Sequence, residues 1–257
     1  MRYKEGITTP DESYWFGFLI GDGNLARDRN RITVVLQNRD YNHLLKLKAF
    51  FGEGYIRPSQ ESYTKYSIER KEQTKYLKNV GLRPAKTHII DWNNIPYDYT
   101  VDFLRGLLDS DGTVYLKFPV TTIRWNGTQS LMNGIRDWID VVCEFNTLPK
   151  VQEDRGSYNF GVSGRWKVQE MSEYLWNNPS TYLERKYAKV LELRRLNEIH
   201  PRQRRRLSRT DIERISDLST NYKQTEIAKM FGVSNSLICR ILKGERYAMG
   251  GVLRERS

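Results

Sequence analysis

Helical and strand-like spacings of apolar residues follow one another in the same order twice along the chain. The first pass opens at Thr9-Pro10-Asp11-Glu12, where Thr9 suits an N-cap, Pro10 the first helical position and Glu12 a capping box. Tyr14 to Ile20 is almost wholly apolar, which predicts a helix buried on every side and ending near Gly21. A strand begins at Gly23, and Ile32–Gln37, rich in β-branched residues, predicts the next. Asp40–Phe51 is amphipathic, with Leu44, Leu47 and Phe51 on one stripe and Gly52 as the stop. Tyr55-Ile56 and Tyr63–Arg70 read as a strand pair, and Glu72–Val80 as a short helix ended by Gly81.

The second pass repeats this order. Asp98 precedes Gly106 by eight residues, as Thr9 precedes Gly17, so the cap register is expected to repeat too. Strands are expected at about Gly112–Phe118 and Thr121–Trp125, then a helix over Leu131–Phe145. A strand pair at Val151–Asp154 and Tyr158–Val162 and a helix over Trp166–Trp176 follow. Tyr182–Ile199 predicts a long basic helix. The unit is helix–strand–strand–helix–strand–strand–helix, present twice.

The repeat is sharpest at the first helix of each unit. Tyr14-Trp-Phe-Gly-Phe-Leu-Ile-Gly-Asp22-Gly23 aligns without gaps on Phe103-Leu-Arg-Gly-Leu-Leu-Asp-Ser-Asp111-Gly112, an offset of 89 positions. Either copy alone reads as a core helix closed by an Asp-Gly turn. Together, Gly17/Gly21 and Gly106/Ser110 place small residues four apart, a spacing that lets two helix backbones approach closely. The paired helices would then bring Asp22 and Asp111 together at one end. An acid at a helix C-terminus opposes the dipole, and two such acids repel. Divalent cations would relieve both effects, and oxygen-ligated Mg²⁺ commonly uses one or two carboxylates plus phosphate oxygens.

Charge adds a partner. The 257 residues carry a net charge of +11, and 39% of them are hydrophobic, enough for a sizeable core. From His200 onward thirteen Lys or Arg stand against six Asp or Glu, so +7 lies in the last 58 residues, including Arg204, Arg205 and Arg206. Such polarised positive charge points to nucleic acid. Cys143 and Cys239 are isolated, which excludes a disulfide framework and a zinc site. His43, His88 and His200 stand apart from one another and read as surface or core residues. No apolar run reaches about 18 residues and no signal peptide opens the chain, so an intracellular protein with no membrane partner is expected. The compartment would be cytoplasm or nucleoid in a bacterial or phage setting, and the organelle in an organellar one.

The two motifs resemble those of single-chain LAGLIDADG homing endonucleases, over about residues 9–199. The resemblance implies an α+β fold, a pseudo-twofold duplicated αββαββα in which two four-stranded antiparallel sheets form a saddle on the DNA major groove. It implies cleavage of both strands across the minor groove, leaving short 3′ overhangs. Asp22 and Asp111 would bind the metal, helped by the carbonyls of Gly21 and Ser110, with Mg²⁺ as cofactor and Mn²⁺ or Ca²⁺ able to substitute for binding. Gln37 matches a water-positioning glutamine, with Asn126 as its second-half counterpart, and Lys86 and Lys186 match the family's lysines. Asp109 has no acidic mate, since Ile20 takes that position, and is not assigned as a ligand. Arg29, Arg31, Thr33, Arg57, Lys65, Lys117 and Arg124 are candidates for DNA contact from the strands.

Thr225–Leu242 carries a second signal. Ala228, Gly232 and Ile238 fall at the offsets of a helix-turn-helix, with Ser234 as the cap of its second helix. Asn235, Ser236, Arg240 and Lys243 are the candidate DNA contacts. The expected layout is repeat 1 over 1–97, repeat 2 over 98–200, and an arginine-rich linker with a small all-α module over 201–257. A monomer acting on a long double-stranded DNA site follows, encoded in a mobile intron or free-standing. The alternatives are a non-catalytic DNA-binding regulator of the same architecture and a maturase acting on its host intron RNA.

Overall fold

The computed structural model describes residues 6–26, 29–80, 82, 90–117, 120–143, 145, 148–199, 207, 209–231, 233 and 235–243. The chain divides into two compact units, Met1–His200 and Pro201–Ser257. In the first unit, α1 (Pro10–Asp22) leads to β1 (Gly23–Leu25), β2 (Arg31–Gln37), α2 (Tyr41–Phe51), β3 (Tyr55–Gln60), β4 (Tyr63–Glu69) and α3 (Lys71–Asn79). The order recurs as α4 (Thr100–Ser110), β5 (Thr113–Lys117), β6 (Val120–Gly127), α5 (Gln129–Val142), β7 (Gln152–Asp154), β8 (Ser157–Ser163) and α6 (Arg165–Leu175), followed by α7 (Glu184–Ile199). Each repeat forms one four-stranded antiparallel sheet, β1-β2-β4-β3 and β5-β6-β8-β7. This is the duplicated α+β architecture expected from the repeat.

The helix starts differ. Thr9 accepts from the Glu12 amide at 3.2 Å, as an N-cap does. The Glu12 carboxylate reaches one residue further back than a capping box requires, accepting from the amide and hydroxyl of Thr8, both at 2.9 Å. Asp98 is not the matching cap. It lies inside a 3₁₀ turn, Tyr97–Tyr99, that winds directly into α4, whose N-cap position is Tyr99 with no side-chain cap bond. Thr100 instead ties the junction, donating to the carbonyls of Pro96 at 3.1 Å and Tyr97 at 2.9 Å.

Strand alternation assigns the faces. In β2 and β4 the even positions Ile32, Val34, Leu36, Tyr66 and Ile68 enter the core, and in β6 the odd positions Ile123 and Trp125 do. Each sheet therefore packs one face on the helices and leaves the other open. The indole N–H of Trp125 donates to Leu104 O at 2.9 Å, fixing the second sheet to α4.

In the second unit, α8 (Arg209–Leu218), α9 (Gln224–Phe231) and α10 (Asn235–Leu242) share a small core built around Ile215, Ile227, Phe231 and Ile238. Ala228 and Ile238 are both buried in it. Gly232 and Ser234 lie outside the described residues.

Candidate active site

The site is built where α1 meets α4. Among the described elements these two helices make the most extensive contact, and glycine is what lets them do so. A Cβ on Gly17 would lie 2.2 Å from Phe103 O, and one on Gly106 would lie 1.9 Å from Tyr14 O. Phe103 and Gly106 are the 89-offset mates of Tyr14 and Gly17, so the contact is reciprocal. One turn further along, a Cβ on Gly21 would lie 2.0 Å from Ser110 Oγ and 3.1 Å from the Asp111 amide. The C-terminal ends of both motifs thus meet, with Asp22 as the last residue of α1 and Asp111 as the C-cap of α4.

Beneath this meeting point lies a buried polar network. Lys186 on α7 is 3% exposed. Its ammonium donates to the carbonyls of Leu108, Asp109 (2.9 Å), Ser110 (3.3 Å) and Gly112 (2.7 Å). A helix leaves its last carbonyls without partners, and Lys186 takes those of α4. Burial pushes the Lys186 ammonium down to about 8, against the pull of Asp109, Asp22 and Asp111.

Asp109 accepts from Tyr14 Oη at 2.9 Å and from the Leu183 amide at 2.8 Å. Burial raises its carboxyl to about 6, with Lys186 and these two donors working the other way. Tyr14 Oη also lies 3.0 Å from His43 Nε2. The hydroxyl has one proton, and Asp109 takes it, so His43 must present Nε2–H to Tyr14. Burial, reinforced by Lys46, Arg185 and Lys186, drives His43 down to about 3, so the imidazole is neutral. Desolvation, reinforced by Asp109, raises the Tyr14 phenol well above its usual value.

The strand residues fall into place by register. Asn24 pairs with Thr33, and its 89-offset mate Thr113 pairs with Arg124. Across the hairpin the repeat offset therefore grows from 89 to 91. Gln37 then aligns with Thr128, and Asn126 with Val35. Gln37 and Thr128 both occupy N-cap positions at the ends of their strands. Gln37 is exposed, while the Thr128 hydroxyl accepts from the Leu131 amide at 3.1 Å and donates to Ile90 O. Asn126 nevertheless lies at the second motif, its amide donating to Asp111 O at 2.9 Å. A cleft of about 260 Å³ opens there, bordered by Gly21, Asp111, Asn126, Thr128 and Ser157.

Arg31, Thr33, Arg57 and Lys65 share the open face of the first sheet, where Val35 pairs with Lys65 and Lys65 with Arg57. Arg31 forms an ion pair with Glu69 on the same face, and Arg57 lies 5.5 Å over the Tyr55 ring. Arg124 is on the open face of the second sheet, and Arg29 is exposed between β1 and β2. Asn235, Ser236, Arg240 and Lys243 lie on the exposed side of α10 or just beyond its end. Lys86, Arg204, Arg205, Arg206 and the side chain of Lys117 lie outside the described residues.

The donors at the helix ends fit a hard divalent cation: two carboxylates and nearby peptide carbonyls, all oxygen. Among the described residues no three His, Cys, Asp or Glu side chains cluster as a metal cage. A cation at Asp22 and Asp111 would therefore complete its shell with carbonyls, water or phosphate, the habit of Mg²⁺. Lys186 bonds Ser110 O through one lone pair and leaves the other.

No protein-family model matches the chain, and no curated protein matches its sequence. Solved structures do. The meganuclease I-AabMI bound to uncleaved DNA superposes with a TM-score of 0.53 at 14% identity, covering 75% of this chain and 91% of its own. The fold is that of the LAGLIDADG homing endonucleases. I-SmaMI gives the same result bound to uncleaveable DNA, with a TM-score of 0.52, 15% identity and coverage of 84% of this chain and 99% of its own. Bound to cleaved DNA it gives a TM-score of 0.51 at 14% identity, covering 95% and 98%. In this fold α1 and α4 are the paired central helices, each repeat adding one four-stranded sheet.

Sequence reasoning missed three participants. Tyr14 and Asp109 looked like core and unassigned positions, and Thr128 like a loop residue. Asp109 alone gave a signal: an acid in the Leu107–Ser110 stretch of the motif helix, at a position its mate Ile20 fills with hydrocarbon, is stable in a core only with buried partners.

Proposed function

We propose that the protein is a site-specific, divalent-metal-dependent endonuclease that cuts both strands of a long DNA site. The observation that supports this reading is the close approach of the two motif ends, Gly21 against Ser110 and the Asp111 amide, at the foot of one glycine-packed helix pair. Carboxylates at two helix C-termini oppose the dipoles there, which favour cations. A bound Mg²⁺ would supply an activated water and stabilise the leaving oxygen of a phosphodiester. Asp22 and Asp111, with the carbonyls of Gly21 and Ser110, would hold the divalent cations, one motif serving each strand. Gln37, Asn126 and Lys86 would border the scissile phosphates, Gln37 and Asn126 from the strand ends. The basic open-face residues Arg31, Arg57, Lys65 and Arg124, with Thr33, would contact base edges and phosphates.

DNA binding draws support from the neighbours, since I-AabMI and I-SmaMI were both captured on DNA. One chain supplies both motifs, so a monomer suffices. We assign the second unit as a helix-turn-helix, with Asn235, Ser236, Arg240 and Lys243 offered to DNA from α10 and Arg204 to Arg206 on the connecting segment. The test is selection from a randomised duplex library with Mg²⁺, followed by sequencing of the ends. The proposal expects one preferred site cut on both strands with short 3′ overhangs. Duplexes that are enriched by binding yet stay intact would make the protein a regulator instead.

A further inference from the structure

We propose that Tyr14, Asp109 and Lys186 act together as the positioning unit of the second motif, fixing the backbone that carries Asp111. The inference rests on the endonuclease reading and goes beyond it, because none of the three would touch DNA or metal.

The argument starts from the carbonyls at the end of α4. Leu107 O accepts from Ser110 Oγ at 3.0 Å. Leu108, Asp109, Ser110 and Gly112 all accept from Lys186 Nζ, and Asp111 O accepts from Asn126. Every carbonyl from 107 to 112 therefore has a side-chain donor. An ammonium shared among four carbonyls on both sides of Asp111 leaves that peptide little freedom to rotate. Lys186 is itself held, since α7 begins beside Leu183, whose amide donates to the Asp109 carboxylate. Tyr14 closes the unit by carrying the same carboxylate across to α1.

Pseudo-symmetry argues that this is not simply core stabilisation. The 89-offset mates of Tyr14 and Asp109 are Phe103 and Ile20, both buried and apolar. Hydrocarbon thus fills the mirror position, and replacing buried ionic groups by apolar ones is often neutral or stabilising. The Tyr14–Asp109 hydrogen bond is therefore a feature of the second motif's side and not a requirement of the helix pair. Lys186 then differs from the phosphate-contacting lysine its sequence position suggests. Its ammonium is enclosed by the chain's own carbonyls and is a positioning group.

DNA has a twofold axis relating its strands, and a pseudo-twofold protein presents one motif to each. Loosening one motif should therefore slow one strand. The experiment uses full-length Tyr14→Phe and Lys186→Met variants on the duplex recovered by selection, with both strands end-labelled. Affinity is read in Ca²⁺ and strand cleavage in Mg²⁺. We expect both variants to slow the same strand ten-fold or more, to accumulate nicked duplex, and to keep the other strand and the Kd within two-fold. Hydrogen exchange in metal-free protein should quicken at 108–112 but not at 19–23. Tyr14→Phe removes one hydroxyl and places the residue its mate already uses, so it remains informative if Lys186→Met fails to fold. Equal slowing of both strands, or no slowing, overturns the proposal while leaving the endonuclease reading intact. Wild-type protein that cuts neither strand overturns both.

Discussion

Gly106 sits so close to Tyr14 that an added Cβ would lie 1.9 Å from the Tyr14 carbonyl oxygen, and Gly17 stands in the same relation to Phe103 at 2.2 Å. The collision is with backbone, which no rotamer change relieves. Gly17→Ala and Gly106→Ala must therefore push α1 and α4 apart, at a cost of about 3 kcal/mol or more. Thermal unfolding should show Tm lower by roughly 6 °C or more in each variant. An unchanged Tm would mean that the helices do not depend on this contact.

Gly21 offers a sharper version. Its added Cβ would meet Ser110 Oγ at 2.0 Å and Ser110 Cβ at 2.5 Å, both side-chain atoms. Gly21→Ala should therefore destabilise, and Gly21→Ala combined with Ser110→Gly should recover most of the loss. Two additive losses in a double-mutant cycle would contradict contact at this end of the helices.

His43 predicts a pH dependence. Its folded pKa is about 3 against an ordinary value of 6.5, so only the unfolded chain takes up a proton between these values. The stability it provides is complete above about pH 6.5 and is lost as pH falls toward 3, at up to about 1.4 kcal/mol per pH unit. Urea midpoints of His43→Leu should fall less steeply than wild type from pH 7 to pH 4.5. Parallel slopes would place the acid sensitivity elsewhere.

Much of this architecture was legible in the sequence because the repeat is local. Glycine at 17 and 106 and acid at 22 and 111 lie within one helix each, so alignment alone exposes them. What it could not expose is long-range or shifted. The β5–β6 hairpin spends two more residues between Thr113 and Arg124 than β1–β2 spends between Asn24 and Thr33, so a fixed offset of 89 stops working after it and Gln37 falls on Thr128. Lys186 joins carbonyls 74 to 78 positions away, a partnership that spacing does not encode. Asp98 has the composition of a cap but lies in a 3₁₀ turn, a choice made by the chain around it.

The second unit predicts a salt effect. Its helices hold their own core, so deletion from Arg202 should leave Met1–His200 folded. Loss of its Lys and Arg contacts should weaken binding, with the slope of log K against log salt falling by about 0.9 per phosphate contact removed. Cleavage of already bound DNA should change less. The same affinity at every salt concentration would separate this unit from DNA recognition.

The central claim is that Asp22 and Asp111, 89 residues apart in sequence, both carry metal-dependent cutting, one motif for each strand. The direct measurement compares wild type with Asp22→Asn and Asp111→Asn on the selected duplex, reading affinity in Ca²⁺ and double-strand cleavage in Mg²⁺. The account predicts that each single variant loses double-strand cleavage while affinity stays within a few-fold of wild type. Full double-strand cleavage by either variant would contradict it.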